Sequence, residues 1–387
     1  MNKNPKNPTT LRISPVINKQ DLEQFIKLPE TIYADDPCWV TPLMLERKMF
    51  FSTKENPYFQ HAKWQAWIAW RNDKPVGRIS AQIDSMHLER YNDATGFFGF
   101  LDAENSQETF NALISTAEKW LKDQNINRIR GPFNLSINEE MGLLVEGFDT
   151  PPVFMMGHAK PYYSQLIEKC GYQKAVDTFA YMVSPNFETP RIMKRLVSKA
   201  GKRISIRAID KKNYYQEIEL LRDIFNDAWV DNWGFLPFTI AEFKELGKNL
   251  RFLINLDFIQ IAELDDQPAA FIVAVPNINE AIKDLNGKLF PTGLLKLLWR
   301  LKVKYPKTAR VPLMGVKKEF QNTRLGPLLA FMLIDTERKK LHARGATDIE
   351  LSWILEDNAG MRNIIKSIGG REYKRYRVYE KNLLDSD

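Results

Sequence analysis

Two stretches of this chain alternate apolar and polar positions in the same way. Residues 68–79 read IAWRNDKPVGRI and residues 261–272 read IAELDDQPAAFI. Each predicts a β-hairpin, with Asn72-Asp73 and Asp265-Asp266 at the turns, because Asn and Asp tolerate the backbone that tight hairpin turns need. Residues 163–174 (YSQLIEKCGYQK) and 361–372 (MRNIIKSIGGRE) form a second pair. Each predicts a short amphipathic helix stopped by glycine, at Gly171 and at Gly369-Gly370. Each then enters an aromatic strand, DTFAYMV (177–183) or YKRYRVYE (373–380). Ahead of these, residues 115–131 and 333–355 both read as a helix followed by a strand. The pattern predicts an α/β chain with mixed sheets flanked by helices, present in two copies. The copies would span 10–185 and 203–387, joined by a linker at 186–202. Shared α/β patterning without duplication is the plainer alternative.

The copies differ in two places. The second carries an insertion, 277–310, after its hairpin. The first has a long excursion, 131–152, where the second has only Glu356-Asp357-Asn358. Within the insertion, 293–310 reads GLLKLLWRLKVKYPKTAR. Leu294, Leu297, Leu298, Leu301 and Tyr305 share one helical face, Lys296, Arg300, Lys304 and Lys307 another, and Trp299 lies between. That is the make-up of a helix lying in a membrane interface, and equally of a helix that covers a core.

Composition narrows the setting. The chain has 387 residues, more than one core usually serves. Hydrophobic residues make up 44% and charged residues 27%, which is a globular balance. Cys38 and Cys170 give neither a disulfide framework nor a CxxC site, so a reducing compartment is expected. The polar amino-terminal stretch has no signal-peptide core, and no segment is apolar enough to span a bilayer. These features predict a cytoplasmic protein, with peripheral contact at the inner membrane face through 293–310. The net charge of +7 favours anionic partners without choosing among them.

The stretch 313–331, LMGVKKEFQNTRLGPLLAF, joins an apolar strand to an amphipathic helix. Pro327 suits the helix's first turn. Free main-chain N–H groups at that turn favour an anion such as a pyrophosphate. Gln321-Asn322-Thr323-Arg324-Leu325-Gly326 resembles the acyl-CoA pyrophosphate loop of the GNAT superfamily of N-acyltransferases, with Arg324 where that loop has its first glycine. Residues 352–370 resemble the family's strand–Asn–helix–Gly segment, matching at Asn358, Met361, Ile364 and Gly369. Ile365 stands where the family often has a tyrosine. The first copy has no such loop. The whole chain resembles long bacterial proteins with tandem GNAT-like domains, and in organisation is broadly similar to bacterial ceramide synthases, which N-acylate sphingoid bases with fatty acyl-CoA.

This resemblance implies an acyl-CoA-dependent N-acyltransferase acting on a small-molecule or lipid amine. CoA would lie along Met314, Gly315 and Val316, at 321–326 and beside Asn358. Such transfer needs a base, a proton donor and a donor to the carbonyl oxygen. Glu356, at a strand exit, is the candidate base, with Glu350 as alternative; Glu356 is also placed to cap a helix. Tyr376 and Tyr379 are candidate proton donors or core aromatics. Asp231, Trp233 and Phe235 are candidates for the acceptor wall or an ordinary turn. His61, His87, His158 and His342 show no metal spacing, so no metal is expected. No GxSxG elbow or P-loop is present, and DNA is not an expected partner. The alternatives are an aminoacyl-tRNA-dependent transferase of the same tandem fold and a non-catalytic CoA- or lipid-binding module.

Overall fold

The computed structural model describes residues 10–200 and 203–384. The chain's polar start through Thr9, the last two positions of the expected linker and residues 385–387 lie outside the described residues. The strands are β1 (Leu11–Pro15), β2 (Ala62–Arg71), β3 (Lys74–Asp84), β4 (Thr95–Ala103), β5 (Arg128–Gly131), β6 (Phe133–Asn134), β7 (Glu140–Met141), β8 (Leu143–Glu146), β9 (Gln173–Val183), β10 (Ile204–Ala208), β11 (Ile259–Leu264), β12 (Gln267–Pro276), β13 (Thr308–Val316), β14 (Asp348–Leu355) and β15 (Arg371–Asn382). The helices are α1 (Lys19–Ile32), α2 (Met44–Phe50), α3 (Ser85–Tyr91), α4 (Gln107–Lys122), α5 (Tyr163–Lys169), α6 (Arg191–Ala200), α7 (Tyr214–Trp229), α8 (Ile240–Leu253), α9 (Ile278–Ile282), α10 (Gly293–Trp299), α11 (Lys318–Gln321), α12 (Leu325–Ala343) and α13 (Ala359–Ser367). Most of the expected linker is α6.

Thirteen strands form one sheet in the order β1-β2-β3-β4-β5-β15-β9-β14-β13-β12-β11-β10, with β8 attached to β15. This order is the same read from either edge: β1 to β5 answer β10 to β14, and β9 answers β15. Both hairpin turns form where the pattern put them. Asn72 and Asp73 have φ of 49° and 60°, and Asp265 and Asp266 have 49° and 61°. Within each half one pair is parallel, β4 with β5 and β13 with β14.

The halves exchange their closing strands. β9, from the first half, pairs with β14, while β15, from the second, pairs with β5 and β9. Alternation places Ala270, Ile272 and Ala274 of β12 against α12, and Phe271, Val273 and Val275 against α7. Buried on both faces, the central strands read as unbroken apolar runs.

Each parallel pair splays after a few residues. β4 and β5 pair over 95–97 and 128–130, then part. There the excursion fills the gap: a Cβ on Gly99 would lie 1.9 Å from the Phe133 oxygen. Gln82 Nε2 donates to the Phe133 and Leu135 carbonyls, and the Phe100 N–H donates to Asn134 Oδ1. β13 and β14 pair over 308–311 and 348–351 before parting. The second half has no comparable excursion, since β14 runs almost directly into α13.

Candidate functional site

The splay of the second half has a polar corner at one end and a buried charge cluster at its base. At the corner, β13 ends at Val316 and α12 begins at Leu325. Arg324 precedes α12 with φ −67° and ψ −17° and makes no side-chain cap. An ordinary helical backbone holds at the position where the resembling loop has glycine, so a side chain costs nothing there. Arg324 is exposed and, among the described residues, has no ionic partner. Gly326 is constrained: a Cβ would lie 2.6 Å from the Phe320 oxygen. The Leu325 N–H donates to Thr323 Oγ1, leaving the Gly326 N–H at the positive end of a 19-residue helix. Gln321 Nε2 donates to the carbonyls of Val316 and Ala228, tying the corner to β13 and α7. A free N–H, an unpaired guanidinium and the neighbouring Lys317 suit a diphosphate.

Along β13, Gly315 allows α7 to approach, since a Cβ would lie 3.1 Å from that of Ala228. Trp229 Nε1 donates to the Met314 carbonyl, and the Trp229 ring meets Trp353 edge-on at 5.3 Å. Two indoles therefore wall one side of the splay.

At its base stand Arg310 of β13 and Glu350 of β14, directly paired in register. Ser352 lies one alternation further on. Glu350 is fully buried. Its carboxylate accepts hydrogen bonds from the Ser352 and Tyr373 hydroxyls. Arg310 Nε lies 3.8 Å from Glu350 Oε1 and donates to Ser352 Oγ at 2.9 Å. Arg310 Nη1 also donates to the carbonyls of Phe154 and Met155. Lys374 Nζ donates to the Thr150 carbonyl at 2.8 Å. Burial raises the Glu350 pKa against the pull of Arg310, and lowers those of Arg310 and Lys374. A carboxyl whose pKa is raised is a stronger proton acceptor than an ordinary one. The pairing of β9 with β15 slips at Tyr373, and this bulge turns its ring towards Glu350.

Three carboxylates, Glu46, Glu139 and Glu140, gather around Arg47. Glu46 keeps 46% of its side chain accessible, and its pKa is raised by burial. Arg47 bridges Glu46 at 3.0 Å and Glu140 at 2.9 Å. Glu139 is pushed up to about 8 by burial and by Glu140. Glu140 also acts electrostatically on Arg310 and Tyr376. Leu45 and Met49 of α2 add exposed apolar surface.

The candidate residues are distributed unevenly. Glu356 does sit at the β14 exit, but its carboxylate bridges Lys174 at 2.6 Å and accepts the Asp177 N–H. Occupied and on the surface, it is replaced as candidate base by Glu350. Tyr379 lies in the first half's core and donates to Glu168, because β15 has crossed over; it is remote from the splay. Tyr376 is fully buried near Glu350, its hydroxyl unpartnered among the described residues. Asn358 caps α13, accepting the Met361 N–H. Asp231 is exposed and paired with Lys318 at 2.6 Å. Trp233 stacks under Arg130. It borders a void of about 10 Å³, room for one water and no acceptor. Phe235 is core, beside Phe225. Trp233 and Phe235 reach residues of the first half, Arg130 and Tyr91, while Asp231 pairs within the second, so the three do not form one wall. Among the described residues no group of His, Cys, Asp and Glu is arranged to hold a metal.

Sequence reasoning missed Arg310, Ser352, Tyr373, Lys374 and the carboxylates Glu46, Glu139 and Glu140. A signal existed for Arg310: like Glu350, already the alternative base, it is a charge inside an apolar strand, which burial tolerates only when paired.

No family model matches the chain. Protein YghO of Escherichia coli (strain K12) is 50% identical over 368 residues, covering 95% of this chain and 94% of that protein. A bacterial ceramide synthase of Caulobacter vibrioides (strain NA1000 / CB15N) is 45% identical over 375 residues, covering 96% and 98%. Among solved structures, a tandem GNAT protein from the clavulanic acid biosynthesis pathway superposes with TM-score 0.57 at 12% identity, covering 98% of this chain and 100% of that one. A GCN5-related N-acetyltransferase from Sphaerobacter thermophilus gives 0.53 at 10%, covering 96% of each.

Proposed function

Because the chain belongs to the tandem GNAT-like family that includes YghO and the bacterial ceramide synthase, we propose that it transfers a fatty acyl group from CoA to a long-chain primary amine in the cytoplasm. Acyltransferase chemistry follows from the family; the lipid amine is our reading, supported by the Caulobacter relative's being a ceramide synthase. The observation that carries the reading is the contrast between the two splays. One is filled by residues 131–137, while the other has no such excursion between its cationic corner and the Glu350 cluster.

In this scheme the diphosphate lies at Gly326 and Arg324, and the thioester reaches the base of the splay. The acceptor lies with its ammonium towards Glu139 and Glu140. Tyr373 is half-buried while Glu350 is not reachable, so Tyr373 meets the amine and passes its proton to Glu350. The freed amine attacks the thioester carbonyl, a main-chain N–H at the splay takes the developing charge, and the C–S bond breaks. One proton returns to the sulfur and the other leaves to solvent.

The test is thiol release from palmitoyl-CoA with a sphingoid base as acceptor, with amide product read by mass spectrometry. Amide formation by the wild-type chain supports the reading. Heat on titration with CoA but no turnover across a panel of amines would sink the catalytic part in favour of a binding module. Strong salt-dependent tRNA binding with no response to CoA would favour the tRNA-dependent alternative.

A further inference from the structure

The inserted segment carries the largest concentration of exposed apolar side chains. Of thirteen large hydrophobic residues left exposed among the described ones, six lie on it: Phe290, Leu294, Leu295, Leu298, Trp299 and Val303. α10 continues through a wider helical turn, Arg300–Lys304. Its inner stripe, Leu297 and Leu301, packs with Val40, Leu43, Ile278, Ile282 and Leu285. That satisfies the core. The outer stripe is left over: Leu295 and Val303 are each 70% exposed and Phe290 72%. The helix is therefore apolar on two sides, which a core-covering helix does not need.

Charge says what fits this face. Between residues 283 and 307 there are seven cationic side chains and one acid, Asp284. That acid is held by Arg300. Lys288, Lys296, Lys302 and Lys304 are exposed and make no ion pair among the described residues. A second copy meeting this face about a twofold axis would set these lysines against themselves. An anionic lipid surface matches both the apolar centre and the cationic border. Among the described residues no helix is long and apolar enough to cross a membrane, so the contact is from one side.

We propose that the outer face of residues 288–304 docks on an anionic bilayer. This goes beyond the acyl-transfer reading and does not depend on it. The docked face lies beside α2: Leu43, which packs with the insertion, directly precedes that helix, and the Met44 N–H donates to the Gly287 carbonyl at 3.0 Å. Docking would bring α2, with Glu46 and Arg47, close to the membrane, where a long-chain amine resides.

The experiment is co-sedimentation with phosphatidylglycerol–phosphatidylcholine vesicles and with pure phosphatidylcholine vesicles. The full chain should pellet with the first, barely with the second, and less as salt rises. Leu295→Asp with Val303→Asp should lower vesicle binding at least about tenfold, with an unchanged melting midpoint because both sites are exposed. Lys296→Glu with Lys302→Glu should abolish the preference for anionic vesicles. Equal binding to both vesicle types, no binding, or sedimentation equilibrium showing a dimer that the Leu295→Asp/Val303→Asp pair dissociates would overturn the proposal.

Discussion

At the scale of single residues, the account turns on Glu350 and Tyr373. Glu350→Gln should keep the fold and reduce kcat by about 10²–10⁴-fold, the usual worth of a general base, with CoA binding unchanged. Tyr373→Phe should lower kcat in the same direction. Since burial raises the Glu350 pKa, the rate should increase with pH as its carboxyl ionises, and Glu350→Gln should flatten that limb. Glu356→Gln is the control. It removes an exposed pair worth about 0–1 kcal/mol and should leave turnover nearly intact. At the corner, Arg324→Ala should weaken CoA binding severalfold, read by calorimetry, while kcat at saturation holds. The polar corner was legible because strand, turn and helix are contiguous in sequence. Tyr373 was not, because a bulge in pairing between distant strands aims its ring. YKRYRVYE contains three tyrosines and nothing local that separates them.

Among the elements, the two hairpins and the two helix–glycine–strand units were readable, since period and turn chemistry are local properties. The contacts that lock the elements were less visible. His61, ahead of β2, joins Asp84 of β3 at 3.0 Å and Glu242 of α8 at 3.1 Å, across the two halves. Burial opposes its charge, but these two carboxylates raise its pKa to about 10, from an ordinary 6.5. A raised folded-state pKa gives stability that is full below the unfolded value and is lost as pH rises through the folded one. The melting midpoint should therefore fall as pH rises from about 6.5 to about 10, and level off above that. His61→Gln should lower the midpoint at neutral pH by about 2–8 °C and blunt that alkaline fall. Calorimetric scans of both proteins across pH check this.

For the whole molecule, the feature that sequence pattern could not reveal is the exchange of closing strands. Each of β9 and β15 has the composition of a strand in its own half, and partner choice leaves no mark on local periodicity. The exchange makes the halves interdependent. Ending the chain at residue 370 removes β15, which leaves β5 without one neighbour and bares an edge of β9. Such a chain should aggregate. Residues 10–200 and 203–387 produced as separate chains should be recovered folded only together, read by co-purification and a shared melting transition. The same exchange carries Tyr373 and Lys374 into contact with both halves, so the Glu350 cluster belongs to the assembled chain and to neither copy alone.

The most direct measurement of the central claim is a paired titration and turnover assay on the wild-type chain and Glu350→Gln, using palmitoyl-CoA and a sphingoid base. The account expects both proteins to bind CoA with similar heat, and only the wild type to release thiol and form amide. Equal turnover by Glu350→Gln, or no heat with CoA from either protein, would contradict it.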